Sequence, residues 1–234
     1  MRREAEAMYV LGIETSTPVC SVGLVDENRV LTCYSQNTGL RHAERTVALA
    51  ERALQDAGLT AADLHGVAVG SGPGSFTGLR IGMAAAKGLC VALDLPLLAV
   101  STLKGLAAQV VFERMPVCAI LDARRGEVYA GVYSVGGGTL TARLPDTALP
   151  LEDLIPKLPK PVLFVGDGGI TYRDRIEASL GVDARFAPAS THPSGGSIAI
   201  LGAEALQDGN SVDLATAEPE YHRRTQAESA GTTG

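Results

Sequence analysis

An α/β architecture of two lobes, each a mixed sheet flanked by helices, is predicted for this chain of 234 residues. Three observations predict it. Strand-like and helix-like runs succeed one another as β-β-β-α-β-α-β over residues 8–103. The order recurs in outline over residues 104–225, as duplication of one unit would leave it. Glycine-rich turns, Gly70-Ser-Gly-Pro-Gly74 and Gly166-Asp-Gly-Gly169, stand at the ends of apolar strands, one in each half. Residues 1–7 and 226–234 are polar and expected to be flexible ends.

Residues 8–13 are almost wholly apolar and read as a buried strand; 14–18 turn the chain, 20–25 return it, and 30–35 make a third strand. Residues 42–57 form the first long helix, stopped by Gly58, with Ala43, Val47, Ala50, Leu54 and Ala57 as its apolar stripe. Glu44, Arg45, Glu51, Arg52 and Asp56 lie off that stripe, as a solvated face does. Thr60-Ala-Ala-Asp63 has the pattern of a capping box. Strand 66–70 then runs through the glycine turn into a helix capped by Ser75, and 96–100 is a further strand. In the second half, 117–121, 128–135, 139–143 and 162–165 read as strands, and 151–158, 173–180 and 197–207 as helices.

In the second helix Gly78, Gly82 and Ala86 recur every four residues and leave a face nearly without side-chain bulk. An interior glycine costs about 0.5–1 kcal/mol relative to alanine, so close packing against another element must offset it. The preceding turn has the makings of an anion loop, but the specific forms do not fit. A P-loop ends in Gly-Lys-Ser/Thr, where Phe76-Thr-Gly-Leu-Arg80 stands here, and the dinucleotide fingerprint needs a third glycine where Ser75 is found. The plainer reading is a structural turn.

Net charge is −6 and the pI about 5.3, so the composition is not that of a basic nucleic-acid binder. With no Trp and 4% aromatics there is little for a base-stacking platform, and any RNA contact is expected to be shared with a partner. Cys20, Cys33, Cys90 and Cys118 are scattered in or beside apolar runs, the pattern of buried structural thiols in a reducing cytosol. The long apolar region 81–100 is broken by Lys87, Asp94 and Pro96, so no membrane role is expected and the cytoplasm is the default location.

Glu14 and Asp122 end corresponding strands, where carboxylates can hold Mg²⁺ or move protons, but turns favour such residues anyway. The residue four beyond His42 is Thr46, so a helical two-histidine metal site cannot form there. Ser, His and Asp occur in no nucleophile elbow. No catalytic constellation and no metal site emerge.

Leu11-Gly-Ile-Glu-Thr-Ser-Thr17, Cys20-Ser-Val-Gly-Leu24, Arg41-His-Ala-Glu-Arg45 and Gly72-Pro-Gly-Ser-Phe-Thr-Gly-Leu-Arg-Ile-Gly82 resemble the YeaZ (TsaB) family of tRNA threonylcarbamoyladenosine biosynthesis proteins. Lys87-Gly-Leu89, Val100-Ser-Thr-Leu103, Asp122-Ala-Arg-Arg-Gly-Glu-Val-Tyr129 and Glu218-Pro-Glu-Tyr221 extend the likeness over residues 8–224. The resemblance implies the fold of actin, Hsp70 and sugar kinases (ASKHA), with two ribonuclease-H-like lobes. It implies a non-catalytic scaffold paired with the catalytic paralogue TsaD, which carries the metal-binding histidines. Together with the ATPase TsaE, that assembly transfers threonylcarbamoyl from its adenylate to the adenosine beside the anticodon of tRNAs reading codons that start with A.

The same fold usually holds ATP between its lobes. The corresponding loops would include Glu14, Thr15 and Ser16, then Asp122 and Arg124, then Gly166, Asp167 and Gly168. The first lacks the usual Asp-x-Gly pattern, so no cofactor of the chain's own is expected, and ATP or ADP only weakly or within the complex. The family pairs through the first two long helices, which assigns the interface to Arg45, Leu49, Arg52, Ala53, Gly78, Gly82, Met83, Ala86 and Lys87. Two other readings stand beside the scaffold: an ATPase or small-molecule kinase of the same fold, and a regulator that forms a homodimer when alone.

Overall fold

Which helix a strand residue meets is decided by alternation along two sheets of five strands each. The computed structural model describes residues 7–27, 29–37, 39, 42–110, 115–136, 139–187 and 192–222. The expected loose ends, save Ala7, and the last two glycines of the turn at 136–138 lie outside the described residues.

In the first sheet β1 (Tyr9–Glu14), β2 (Val19–Asp26) and β3 (Arg29–Asn37) form an antiparallel meander. β4 (Leu64–Gly72) joins the other side of β1 in parallel, and β5 (Leu97–Ser101) lies beyond it. Parallel neighbours need crossovers, which α1 (His42–Asp56) and α2 (Phe76–Leu93) supply. The second sheet repeats the scheme: β6 (Val117–Arg124), β7 (Glu127–Gly136) and β8 (Thr139–Pro150) are antiparallel, while β9 (Val162–Val165) and β10 (Ala184–Phe186) add in parallel. The orders β3-β2-β1-β4-β5 and β10-β9-β6-β7-β8 correspond strand for strand. The remaining helices are α3 (Thr102–Ala108), α4 (Leu151–Leu154), α5 (Asp167–Thr171), α6 (Arg173–Leu180) and α7 (Gly195–Gln207).

Leu11, Cys20, Val22 and Leu24 point to α1, and Ile13, Val67 and Val69 to α2. Val10, Val25, Ala68 and Leu98 point the other way, onto Ile198 and Ala199 of α7. In the second sheet Val117, Ala119 and Leu121 face Leu103 and Leu106 of α3, while Cys118 and Ile120 face α4 and α6. The layers therefore run α1 and α2, first sheet, α7 and α3, second sheet, α4 and α6.

Several expectations need correction. β4 runs from Leu64 to Gly72, so Ser71 and Gly72 of the glycine turn belong to the strand. β8 runs on to Pro150, and α3, α5 and β10 were not foreseen. Helix α7, from the span 104–225, packs on β1, β2 and β4 of the first sheet. Glycines make this possible: a Cβ on Gly12 or Gly23 would come inside 3.0 Å of the Gly195 or Gly196 backbone. The chain then stays with the first lobe. Val212 N donates to Leu97 O at 2.9 Å along the edge of β5, and Glu220 N donates to Ser71 O at 2.7 Å. By length and composition α2 could cross a bilayer, with 18 residues at mean hydropathy 1.3. In the fold it lies along the first sheet, with Leu79, Met83, Ala86 and Cys90 buried.

Two glycine substitutions should therefore move stability in opposite directions. Gly23→Ala forces backbone against backbone and should destabilise by about 1–3 kcal/mol. Gly88→Ala, in α2 with open space around it, should stabilise by about 0.5–1 kcal/mol. Urea midpoints measure both, and equal effects would contradict the packing of α7 on β2.

Candidate functional site

β1 ends at Glu14, and the loop after it is sealed by the start of α2. Glu14 is fully buried; its Oε1 accepts from Ser16 N at 2.6 Å and its Oε2 from the Thr102 hydroxyl at 3.4 Å. A Cβ at Gly70 would collide with this carboxylate. Burial pushes the Glu14 carboxyl above its ordinary value, against the opposing pull of the Ser16 and Thr102 hydrogen bonds. Thr15 Oγ1 donates to Gly78 O at 2.8 Å, and Ser75 N donates to Ser16 O at 2.7 Å. Cβ atoms on Gly74, Gly78 or Gly82 would fall inside 3.0 Å of Ser16 or Thr15. The glycine series thus exists to seat α2 on the loop. Ser75 caps the helix as expected, accepting from Gly78 N at 3.3 Å.

The corresponding end of β6 carries Asp122, whose Oδ1 accepts from Arg124 N at 2.8 Å and from the Tyr172 hydroxyl at 2.9 Å. Arg124 also pairs with Asp122 Oδ2 at 3.2 Å. Asp122 N donates to Asp167 Oδ1 at 3.0 Å, which fastens α5 to β6. Burial, with the Asp122 carboxylate adding to it, raises the Asp167 carboxyl. Gly166, at φ +113°, and Gly168 are required where this turn lies against Ile120. Between the two loops is a cavity of about 350 Å³, lined by Ser16, Thr17, Ser75, Asp122, Arg124, Tyr129 and Asp167 among others. The structure thus brings together Ser16 with Asp122, Arg124 and Asp167, while Glu14 and Thr15 lie behind the wall, buried to 0% and 1% exposure.

A nucleotide's phosphates fit this arrangement poorly. The backbone N–H of Ser75 is engaged by Ser16, the only guanidinium in the lining among the described residues is paired with Asp122, and two carboxylates face the space. His42 is buried with neither ring nitrogen hydrogen-bonded, and burial lowers its pKa more than the nearby Thr17 backbone raises it. Thr46 turns its hydroxyl to His42 O at 2.8 Å. Cys20, Cys90 and Cys118 are buried, which raises each thiol, that of Cys90 to about 11. Cys33, expected to be buried, is exposed.

The expected interface residues divide. Arg45 and Arg52 are exposed, with Arg52 paired to Asp56 at 2.8 Å. Leu49 and Ala53 are buried against β2, and Gly78, Gly82, Met83 and Ala86 face the chain's own core, so these six are not surface in this structure. Lys87 is half-buried and donates to Ala217 O at 2.9 Å. Of the apolar stripe of α1, Ala50 and Leu54 are buried as expected, but Ala43 and Val47 face solvent and His42 and Thr46 are buried in their place. Exposed apolar residues are instead Val47 on α1, at 46%, and Val91 on α2, at 73%, with Ala84 and Gly88 also exposed on α2. A large apolar residue close to charged neighbours in α1 was the available signal for Val47.

The raised pKa of Glu14 gives a pH-dependent expectation. Its contribution to stability is complete below the unfolded value near 4.5 and is lost as pH rises through the higher folded value. Glu14→Gln keeps an acceptor for Ser16 N and abolishes that titration. Its urea midpoint should gain on the parent as pH rises above the unfolded value, until Glu14 is ionised in the folded parent; parallel curves at all pH values would contradict a buried, destabilised carboxylate.

The family model of TsaD, tRNA N6-adenosine threonylcarbamoyltransferase, matches residues 36–231. The tRNA threonylcarbamoyladenosine biosynthesis protein TsaB of Bacillus subtilis is 34% identical over 225 residues, covering 94% of this chain and 96% of that protein. Among solved structures, a Pseudomonas aeruginosa protein described as similar to the peptidase YeaZ superposes with TM-score 0.82 at 31% identity, covering 92% of this chain and 100% of that one. The Thermus thermophilus ROK hexokinase, 15% identical with TM-score 0.53 over 86% of this chain and 100% of its own, shares the fold alone. The two-lobed α/β architecture is thus that of the sugar kinases and their relatives, and the chain belongs to the TsaB (YeaZ) family, within the wider group that the TsaD model describes.

Proposed function

We propose that this chain is the non-catalytic accessory subunit of the complex that installs threonylcarbamoyl on the adenosine 3′ of the anticodon in tRNAs reading codons that start with A. Its direct partner in this reading is TsaD; TsaE and tRNA meet it through the complex, in the cytoplasm. The observation that carries the reading is that both helices expose a large apolar side chain, Val47 on α1 and Val91 on α2. Burying apolar surface of this kind yields roughly 25 cal/mol per Å², and two helices of a partner laid across it make a four-helix packing. The closed loop around Glu14 supports the absence of a nucleotide site of its own, and Thr46 at the position a second histidine would take supports a metal site that belongs to the partner.

The test is threonylcarbamoyl transfer to tRNA in a mixture of the adenylate donor, TsaD, TsaE and ATP, with and without this chain. Product should depend on the chain, and the chain alone should turn over no ATP; turnover would favour the ATPase or kinase reading. Val47→Glu combined with Val91→Glu should abolish co-elution with TsaD and the stimulation of transfer, while the melting temperature stays unchanged. The same exposed side chains favour a second reading for the isolated chain, a homodimer that dissolves when TsaD is added, measured by sedimentation across a concentration series.

A further inference from the structure

We infer that Phe76, Arg80 and Tyr221 form a prebuilt receptor for one carboxylate, presented by the protein partner docked on the α1–α2 face; the inference rests on that docking reading. The Arg80 guanidinium carbon stands 4.1 Å from the Phe76 ring centroid and 5.9 Å from that of Tyr221. Its Nε donates to the Tyr221 hydroxyl at 3.0 Å, across 141 residues of sequence. The two rings lie 4.9 Å apart. One N–H and one face of the guanidinium are thereby engaged, and the fork formed by its two Nη atoms makes no ion pair among the described residues.

Most exposed arginines must lose rotamer freedom when they bind. Here the folded chain has already fixed the plane, so the fork is ready for the bidentate geometry of a carboxylate. The rings remain reachable, Phe76 at 38% and Tyr221 at 39% exposure. Fastening the C-terminal segment does not require Arg80, since Glu220 N to Ser71 O and Lys87 to Ala217 O already do so. Arg80, Ala84, Gly88 and Val91 are spaced by four, four and three residues, hence form one row along α2. The fork therefore heads the exposed row of α2 that the docking reading places under the partner.

A protein carboxylate suits this place better than an RNA backbone. A run of phosphates asks for several spaced cations. Lys87 is engaged by Ala217 and His222 faces Glu220 at 3.7 Å, so neither stands free beside Arg80 for a second phosphate, whereas one fork suffices for one carboxylate.

Affinity for purified TsaD, measured by titration calorimetry, tests the inference with four variants of the full chain. Arg80→Ala should weaken binding by about tenfold or more, and Arg80→Lys should not restore it, because lysine has neither the fork nor the stacking plane. Tyr221→Phe, which frees the fork but keeps the ring, should weaken it by a few-fold. Val91→Glu should abolish it. Affinity of the parent should also fall more steeply with added NaCl than that of Arg80→Ala. Wild-type affinity for Arg80→Ala with loss for Val91→Glu would overturn the receptor and leave the docking face standing. Wild-type affinity for Val91→Glu would overturn the docking face itself. Loss of tRNA binding by the assembly with TsaD affinity intact would assign Arg80 to RNA and equally overturn the receptor. Melting temperatures accompany each variant; if Arg80→Ala does not fold, Arg80→Lys and Tyr221→Phe decide the matter.

Discussion

The fold depends on a backbone-to-backbone contact between the loop after β1 and the start of α2. Gly74, Gly78 and Gly82 each occupy a position where a Cβ would enter the space of Thr15 or Ser16. The two of them inside the helix, Gly78 and Gly82, cost on the order of 1–2 kcal/mol against alanine. The hydrogen bonds from Ser75 N to Ser16 O and from Thr15 to Gly78 O, both in buried surroundings, offset that cost. The Ser75 and Gly78 amides of the turn are thereby engaged within the chain, by Ser16 O and the Ser75 hydroxyl.

The opposite face of the same sheet repeats the arrangement. Gly12 and Gly23 admit the first turn of α7, and Gly202 admits Ala68. The first sheet is thus approached from both sides at distances that side chains would forbid, and the chain must come back to it after building the second lobe. That return brings residues 212–222 along β5 and α2, where Leu214 and Ala217 join the same cluster as Met83 and Ala86. The outer surfaces of α1 and α2 consequently rest on a base packed from both sides. A docking surface gains from such rigidity, because little ordering remains to oppose binding.

How much of this was legible in the sequence differs by element, for physical reasons. Strands β1, β2 and β6 and helices α1 and α2 are long and strongly patterned, and their residues announce them. The phase of the first turns of α1 was hidden because two polar residues, His42 and Thr46, are buried, and Thr46 does so cheaply by bonding within its own helix. The small-residue face of α2 was visible as missing bulk, but the gap is filled by a loop sixty residues earlier, and no local signal names it. The side on which α7 docks is set by Gly12 and Gly23, again remote in sequence. Helix α3 is only seven residues long and contains a lysine and a glycine, too little for a period to show. Around the cavity, Asp122, Arg124 and Asp167 were identified and are brought together, while Glu14 was identified for a place its burial denies it.

The cavity between the lobes and the outer helix pair differ in what chemistry remains available. In the cavity Arg124 is paired with Asp122, Asp122 also accepts from Tyr172, and Asp167 holds the Asp122 amide. Each of these groups that could grip a ligand already grips the protein; the buried Ser16 hydroxyl makes no hydrogen bond. On the outer side of α1 and α2 the reverse holds: Val47 and Val91 face water, and the Arg80 fork has no ion-pair partner among the described residues. In the docking reading proposed above, a second protein would cover the exposed valines and meet the guanidinium fork in one event, which a nucleotide in the cleft would not. In the cleft the charged groups are paired within the protein and the Ser16 hydroxyl is left over, whereas on the flank it is apolar side chains and one guanidinium fork that face water.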